Sequence, residues 1–229
     1  MTKWKRAQSQ ASGMSQLSGW KMNVLPSLHE LGLAAGTDKA SRHNYLHAYQ
    51  AALEAHRSTA DLVVEIGVKD GASLRMWKRY FSKARIIGID IQPRCIDHVE
   101  ERIAVHIGEQ TDTAFLDATL GGARPDVIID DGSHRWTHQI ETFLHLFPKL
   151  APEGVYVIED LQTSHVTLAS RYGEAGKETA VHYLGRLAAS VMATGDIPDA
   201  PSDPVLEAIR KTIEQVTLGQ RYCILKKKR

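Results

Sequence analysis

Short runs of apolar, largely β-branched residues alternate with longer segments of helical periodicity along most of the chain. Strands of a parallel sheet are apolar on both faces because helices cover both sides of the sheet. The alternation therefore predicts a parallel β-sheet within an α/β fold. The predicted strands are Leu62–Val68, Arg85–Ile91, Ile103–Ile107, Val127–Asp130 and Val155–Ile158.

Helices are predicted before and between these strands. Tyr45, Leu46, Tyr49 and Leu53 recur at helical spacing and predict an amphipathic helix over residues 43–56. One further helix is predicted to begin near Ser73, and another, PRCIDHVEER, has Pro93 near its first turn. Helices are also predicted in TDTAFLDATL, in WTHQIETFLHLFPKL and over Lys177–Thr194. PSDP near residue 204 predicts a turn.

The end of the chain has a different pattern. Two alternating segments, Thr212–Leu218 and Arg221–Lys226, flank Gly219-Gln220 and predict an antiparallel hairpin. Together with the five parallel strands, it predicts a Rossmann-like, doubly wound, seven-stranded and mostly parallel sheet. The polar start has little periodicity, so we divide the chain into an N-terminal arm, residues 1–27, and one α/β domain, residues 28–229.

Composition narrows the class of protein. A chain of 229 residues with a net charge of +1 lacks the excess of positive charge typical of general nucleic-acid binders. It has no apolar run of about 18 residues and no signal-peptide core at its start, so we expect no membrane association. The two cysteines, Cys95 and Cys223, lack metal-type spacing and indicate a reducing, cytoplasmic setting. Apolar residues in the arm lead us to expect a homo-oligomer, specifically a dimer.

Glycines and polar residues follow the predicted strands, and ligands of open parallel sheets bind at the carboxyl ends of the strands. The first strand leads into EIGVKDGAS. Asp90 ends the second strand about 20 residues further along the sequence, a spacing typical of an acid that binds ribose hydroxyls. The loop lacks the G-x-G-x-x-G pattern of dinucleotide sites, so a ligand without pyrophosphate, such as S-adenosylmethionine, fits it better. A tight turn followed by a surface aspartate remains the alternative.

Four carboxylates lie at the ends of the two following strands: Asp130, Asp131, Glu159 and Asp160. Crowded carboxylates need a cation or a proton to offset their repulsion, and oxygen ligands favour a hard ion such as Mg²⁺. Since successive strand residues face opposite ways, only one of Asp130 and Asp131 need face that ion. His134 follows closely and could accept a proton near neutral pH. Solvated loop acids and a helix N-cap are the alternative interpretation.

The motifs resemble those of class I S-adenosylmethionine-dependent methyltransferases, and more narrowly those of metal-dependent sugar O-methyltransferases of macrolide biosynthesis. The resemblance covers residues 28–164 and rests on EIGVKDGASLRMW, GIDI, IDDGSH and YVIEDLQTS, with GTDK at 36–39 and HNY at 43–45. The macrolide enzymes carry an additional N-terminal domain. Shorter relatives that methylate mannosides of mycobacterial methylmannose polysaccharides are closer to this chain in length.

Matching positions imply a role for each motif residue. Residues expected to bind magnesium are Asp131, Glu159 and Asp160, with His134 as the general base. Residues expected to line the S-adenosylmethionine pocket or close over it are Thr37, Lys39, Tyr45, Glu65, Gly67, Ser73, Asp90, Gln110 and Asp130. By elimination, we expect the segment 165–204 to cover the acceptor side.

The resemblance implies a magnesium-dependent O-methyltransferase acting on a sugar or glycoside, either a glycosylated metabolite or an oligosaccharide such as a methylated mannoside. A catechol-like aromatic acceptor would satisfy the same metal geometry, although an aromatic content of 7% weighs against it. A non-catalytic cofactor-binding scaffold is a further alternative, but it would need no acid cluster. A dinucleotide oxidoreductase is the most distant alternative, because the phosphate-binding glycine motif is missing.

Overall fold

A computed structural model of the protein describes residues 25–193 and 204–229. The strands within these ranges are β1 (Leu62–Ile66), β2 (Arg85–Asp90), β3 (Ile103–Ile107), β4 (Val127–Asp130), β5 (Val155–Ile158), β6 (Ile213–Gly219) and β7 (Tyr222–Lys227). They form one seven-stranded sheet in the order β3-β2-β1-β4-β5-β7-β6. Neighbours from β3 to β5 pair in parallel, whereas β7 is antiparallel to both β5 and β6. The predicted sheet and its terminal hairpin are confirmed.

Helices cover both faces of this sheet and explain why its central strands are apolar on both sides. The α-helices of the described residues are α1 (Leu28–Ala35), α2 (Leu46–Leu53), α3 (Ala72–Tyr80), α4 (Thr113–Leu120), α5 (Trp136–Leu146), α6 (Ala169–Tyr172), α7 (Ala180–Met192) and α8 (Pro204–Arg210). Helices α1 to α3 pack their apolar residues on one face, and α4, α5, α7 and α8 pack theirs on the other. No helix of the described ranges is both long and apolar enough to cross a bilayer.

The helix predicted over residues 43–56 is interrupted in the structure. A π-helical turn, Lys39–His43, ends at Asn44, whose φ of 55° lies in the left-handed region, and α2 begins only at Leu46. A left-handed residue breaks a right-handed helix, and asparagine tolerates this conformation better than most residues. The break directs the π-helical turn towards the carboxyl ends of the strands.

The helix predicted after β2 is wrong beyond its first turns. Pro93–His98 forms a 3₁₀-helix, and Glu100 then pairs with Ile103 in an isolated antiparallel bridge. The chain has only a few residues in which to reverse into β3. Arg102, with φ of 63°, completes the turn while its guanidinium donates to the backbone carbonyls of Lys78, Phe81 and Ala84.

Three α-helices of the described residues, α1, α6 and α8, were not predicted. Helix α1 follows a capping box in which the Ser27 hydroxyl accepts from the Glu30 backbone and the Glu30 carboxylate accepts from the Ser27 backbone. This S-x-x-E pattern is a recognisable signal of a helix start. Helix α8 begins at Pro204, where a turn was predicted. Residues 1–24 of the predicted arm and residues 194–203 lie outside the described residues.

Candidate active site

The carboxyl ends of the parallel strands open into a cavity of about 710 Å³. A smaller polar recess of about 80 Å³ adjoins it. Of the predicted site residues, the cavity is lined by Gly67, Asp90, Gln110, Asp131, His134 and Asp160, and the recess by Thr37, Lys39, Gly67, Ser73 and Asp131. Tyr45, Glu65, Asp130 and Glu159 lie behind these walls, buried to at least 97%. The structure therefore brings the predicted residues to one end of the sheet.

The end of β1 approaches the end of β4 so closely that only glycine fits at position 67. Gly67 has φ of 93°, and a Cβ built there would lie 2.1 Å from the backbone oxygen of Asp131. Both the conformation and the approach exclude a larger residue. Gly67 thus allows the loops after β1 and β4 to form a common wall of the cavity.

Asp90 at the end of β2 is held ionised by backbone groups. Its Oδ2 accepts from the amides of Val68 (2.8 Å) and Lys69 (3.1 Å), and its Oδ1 accepts from the amide of Gln92 (2.8 Å). Burial alone would raise the pKa of Asp90, but these hydrogen bonds lower it below its usual value. The carboxylate is therefore a fixed acceptor in the cavity wall, suited to hydroxyl donors.

A buried ammonium lies among three of the acids, and we call Lys39 with Glu65, Asp131 and Glu159 the lysine cluster. Lys39 is 1% exposed. Its Nζ lies 2.5 Å from Asp131 Oδ2, 2.7 Å from Glu159 Oε1 and 3.4 Å from Glu65 Oε1. Burial would lower the pKa of Lys39, but the three carboxylates raise it well above its usual value. Lys39 therefore remains a cation inside the fold.

The second carboxylate oxygens of Glu159 and Glu65 are also hydrogen-bonded. Glu159 Oε2 accepts from the Tyr45 hydroxyl at 2.9 Å, and Glu65 Oε2 accepts from the Ser73 hydroxyl at 2.6 Å. Burial and the charge of Asp131 raise the pKa of Glu159 to about 8 despite the ammonium. Both oxygens of Glu159, a predicted metal ligand, are thus held by Lys39 and Tyr45.

A second, more open group consists of Asp131, His134 and Asp160, and we call it the metal group. One ligand atom from each residue lies within 4.8 Å of the others. His134 Nε2 is 3.8 Å from Asp131 Oδ1 and 3.6 Å from Asp160 Oδ2. The side chains of Asp131 and Asp160 are 25% and 17% exposed, so water can reach them. Two carboxylate oxygens beside solvent fit a hard divalent cation that keeps water ligands.

The backbone of the metal group is strained. His134 and Asp160 have φ of 57° and 54°, and neither is a glycine. The Thr163 hydroxyl lies 3.1 Å from the carbonyl oxygen of His134 and 2.9 Å from that of Asp160. Residues in this conformation cost roughly 1–3 kcal/mol each and are found preferentially where function requires them. Here the strain turns both side chains towards Asp131.

Asp130, expected at the cofactor, lies beneath the cavity instead of along it. Its Oδ1 accepts from the side-chain amide of Gln110 and the backbone amide of Gly132, both at 3.3 Å. Its Oδ2 has no hydrogen-bond partner among the described residues. Burial, with a further contribution from Asp131, raises its pKa to about 7. Asp130 and Asp131 point to opposite sides, as the alternation of strand residues predicts.

Several residues that line the cavity had no predicted role of their own, among them His43, Arg171 and Tyr172. His43 belongs to the π-helical turn, and its Nδ1 is 3.5 Å from Asp160 Oδ1. Arg171 and Tyr172 belong to α6, inside the segment expected to cover the acceptor side. The HNY run was the signal for His43, since it lies within the resemblance.

Comparisons with known proteins show what the chain is similar to. Residues 64–161 match the family model described as a methyltransferase domain. The chain is 40% identical over 171 residues to the 8-demethyl-8-alpha-L-rhamnosyl tetracenomycin-C 2'-O-methyltransferase of Streptomyces olivaceus, covering 71% of this chain and 45% of that protein. It is 39% identical over 150 residues to the mycinamicin VI 2''-O-methyltransferase of Micromonospora griseorubida, covering 61% and 37%. The chain thus spans less than half the length of these relatives.

Among solved structures, the MycE methyltransferase of the mycinamycin biosynthetic pathway, in complex with Mg, SAH and mycinamycin VI, is similar in fold. It has a TM-score of 0.76 and 29% identity, over 89% of this chain and 55% of that one. A second structure of the same protein, with Mg and SAH, has a TM-score of 0.74. The sequence motifs had indicated a resemblance to the same kind of methyltransferase.

Proposed function

The chain carries a methyltransferase domain of the class I fold, and from that premise we propose that it is a divalent-cation-dependent O-methyltransferase. In this proposal it transfers the methyl group of S-adenosylmethionine to a hydroxyl of a sugar or glycoside. The observation that carries the proposal is that the metal group opens into the same cavity as Asp90 and Gly67. One cavity can therefore hold a cation, a methyl donor and an acceptor side by side.

The cofactor would lie along the ends of β1 and β2. Asp90 would accept hydrogen bonds from the ribose hydroxyls, because its carboxylate is ionised and fixed. Gly67 lines the cavity without a side chain and would let the ligand approach the backbone closely. Thr37, Lys39 and Ser73 would line its amino-acid end in the polar recess, while Gln110 lines the main cavity. Glu65, Tyr45 and Asp130 would support this wall from behind.

Asp131 and Asp160 would hold the cation. Glu159 would lie beside them, because Lys39 forms ion pairs with both Glu159 and Asp131. When bound, Mg²⁺ would make an acceptor hydroxyl easier to deprotonate and would orient it. His134 would take the hydroxyl proton, and the acceptor oxygen would form its bond to the methyl carbon as the carbon–sulfur bond breaks. S-adenosylhomocysteine would leave with the electron pair of that bond. Positioning and charge stabilisation by the residues around the cavity would supply most of the acceleration.

The acceptor class is supported by the relatives. The similar proteins of Streptomyces olivaceus and Micromonospora griseorubida are described as 2'-O- and 2''-O-methyltransferases of a rhamnosyl tetracenomycin and of mycinamicin VI. The first of these acceptors carries a rhamnosyl sugar, as its name states. We infer that this chain also methylates a sugar hydroxyl, on a glycoside or an oligosaccharide.

The direct test is methyl transfer from radiolabelled S-adenosylmethionine to a panel of glycosides and oligosaccharides, before and after chelation and with Mg²⁺ restored. We expect transfer to at least one sugar, loss with chelator and recovery with Mg²⁺. Transfer to catechols alone would contradict the acceptor class, and cofactor binding without any transfer would favour a scaffold.

His134→Gln separates the two roles open to that side chain. A general base is expected to be needed for turnover but not for affinity, so Mn²⁺ and cofactor binding should stay within about twofold while turnover falls by about 10²–10⁴-fold. A fall in Mn²⁺ affinity of similar size would make His134 a ligand instead.

Two broader expectations belong to the same proposal. We infer a homodimer, which size-exclusion chromatography with light scattering would test. We also infer a cytoplasmic setting, which agrees with Cys95 and Cys223 being unpaired and buried. Cell fractionation would test the second inference.

A further inference from the structure

Within the described ranges, no hydrogen bond holds the side chain of His134 or of Asp160, the proposed base and one proposed metal ligand. His134 Nδ1 and Asp160 Oδ1 are buried without a hydrogen-bond partner there. His134 Nε2 lies 3.8 Å from Asp131 Oδ1 and 3.6 Å from Asp160 Oδ2, and both distances are longer than a hydrogen bond. Whatever fixes the backbone at positions 134 and 160 therefore also fixes where the two side chains point.

The backbone at both positions is in the left-handed conformation, with φ of 57° at His134 and 54° at Asp160. This conformation is costly for residues other than glycine, and it persists only where the surrounding structure over-determines it. His134 lies in the loop after β4, whereas Asp160 lies in the loop after β5. A contact that holds both residues must therefore join the two loops.

Thr163 makes such a contact. Its hydroxyl oxygen lies 3.1 Å from the carbonyl oxygen of His134 and 2.9 Å from that of Asp160, so one proton is shared between two acceptors. The backbone amide of Thr163 also donates to the Asp160 carbonyl, at 3.0 Å. The bond to His134 spans 29 residues of sequence and ties the loop after β5 to the loop after β4.

Thr163 is held in turn by the helix that follows His134. The indole N–H of Trp136, the first residue of α5, donates to the Thr163 carbonyl at 2.8 Å. Thr163 and Trp136 are 4% and 6% exposed. The indole also packs closely against Gly173, where a Cβ would lie 2.7 Å from the ring. Two hydrogen bonds of opposite direction thus join Thr163 to residues 134–136, in surroundings with little water to compete for them.

We propose that Thr163 is a positioning residue of the active site, whose hydroxyl holds the backbone of His134 and Asp160 and so directs the imidazole and the carboxylate at one point of the cavity. This inference rests on the proposed function, which takes His134 as the base and Asp160 as a metal ligand. Thr163 lines neither the cavity nor the recess, so it acts through these two residues. Replacing partners that orient metal ligands from outside commonly changes metal affinity or activity by about 10- to 100-fold.

The test compares variants that lose the Thr163 hydroxyl with one that keeps it. Mn²⁺ affinity is measured by calorimetric titration of the full chain saturated with S-adenosylhomocysteine, and kcat is measured at saturating Mn²⁺ with an acceptor of the wild-type protein. We expect Thr163→Val to weaken Mn²⁺ binding by about 10- to 100-fold. Its kcat should stay at least about tenfold below the wild-type value at saturating Mn²⁺, because the metal does not restore the position of His134.

Two further variants separate the hydroxyl from the packing of Thr163. Thr163→Ala removes the hydroxyl without placing a methyl group beside two carbonyls, and we expect the same losses. Thr163→Ser keeps the hydroxyl and should recover most of the Mn²⁺ affinity and of kcat. Thr212→Val is the matched control, since the Thr212 hydroxyl also donates to a carbonyl three residues earlier, that of Ile209 at 2.7 Å, and Thr212 lines neither the cavity nor the recess.

Melting temperature and S-adenosylhomocysteine affinity are recorded for every variant to show that the fold is kept. Wild-type Mn²⁺ affinity and kcat in both Thr163→Val and Thr163→Ala would overturn the inference. Losses in Thr163→Ser equal to those in Thr163→Val would also overturn it, because they indicate a packing role. If the wild-type protein binds no Mn²⁺ or transfers no methyl group, the proposed function itself fails, which separates the two failures.

Discussion

Two groups of carboxylates share one end of the sheet and balance their charge in different ways. In the lysine cluster, Glu65 and Glu159 are at most 1% exposed, and the fixed ammonium of Lys39 lies among them. In the metal group, Asp131 and Asp160 retain contact with solvent, and the group's own basic side chain is the imidazole of His134. Asp131 belongs to both groups.

The difference follows from solvation. A buried carboxylate loses its water, so an acid cluster inside a fold needs a counter-charge that is built in. A partly exposed acid keeps some hydration, so it can remain ionised without a built-in counter-charge and can bind an exchangeable cation. The fold thus places a permanent cation beside the site of a proposed exchangeable one.

The largest effect is expected from removing the permanent cation. Lys39→Met keeps the length of the side chain but leaves three carboxylates without their ammonium, which should lower the free energy of unfolding by about 3–5 kcal/mol. Urea denaturation measures this loss. Lys69→Met is the control: Lys69 is 74% exposed, pairs with Asp38 and should matter by less than about 1 kcal/mol. Similar stabilities for the two variants would refute the distinction between the groups.

The next effect concerns Asp130, a buried acid beside both groups but without a cation. Its pKa rises from 3.8 to about 7 on folding, so the folded state binds the proton more tightly than the unfolded state. Its contribution to stability is full below about pH 4 and is lost as the pH rises to about 7, at up to about 1.4 kcal/mol per pH unit.

Asp130→Asn should remove this part of the pH dependence. We compare the unfolding free energies of the wild type and Asp130→Asn from pH 4 to pH 8. The wild-type value should fall relative to that of Asp130→Asn as the pH rises to about 7, and the difference should be constant above that pH. A difference that stays constant with pH would show that Asp130 is ionised throughout.

A smaller effect is expected for the open group. Asp160→Asn should reduce Mn²⁺ affinity by more than about tenfold, equivalent to about 1.4 kcal/mol. It should change the stability of the metal-free protein by less than about 1 kcal/mol, because Asp160 is partly solvated. Calorimetric titration and urea denaturation of the same sample give both quantities. A large loss of stability without metal would place Asp160 with the lysine cluster instead.

The smallest effect tests the second donor of the lysine cluster. Tyr45→Phe removes the hydroxyl that donates to Glu159 but leaves Lys39 in place. We expect a loss of about 1 kcal/mol in the free energy of unfolding. Tyr172→Phe, on the cavity rim, serves as the control. A loss as large as that of Lys39→Met would mean that the hydroxyl, not the ammonium, stabilises the buried acids.

Elements whose signal is local were predictable from the sequence. Three strands agree with the prediction residue for residue: Ile103–Ile107, Val127–Asp130 and Val155–Ile158. A short β-branched run bounded by polar residues is typical of a buried strand. Helix α1 was not predicted, although its capping box can be recognised in the sequence. The segment after Pro93 was assigned as a helix because proline favours a first turn. The residues of that segment do not indicate how soon the chain must turn back into β3.

The candidate site divides in the same way. The acids and His134 were predicted to meet, since every parallel strand of one sheet delivers its carboxyl end to the same edge. The resemblance placed Lys39 at the cofactor pocket, but its position among the acids was not predictable. Lys39 lies 92 residues before Asp131 and 120 before Glu159 in the chain, and only the packing of the π-helical turn joins them. The proximity of His43 to Asp160 depends on the same turn.

By itself, the sequence determined the parallel sheet, its terminal hairpin and the edge where polar residues gather, because hydrophobic periodicity and strand direction are properties of short segments. The tertiary structure alone decided which acid receives the buried ammonium, which remains open to a cation, and which oxygen of each faces His134. Those choices depend on distances of a few ångströms between segments far apart in the chain. They are also set by how much water each carboxylate loses when these segments pack.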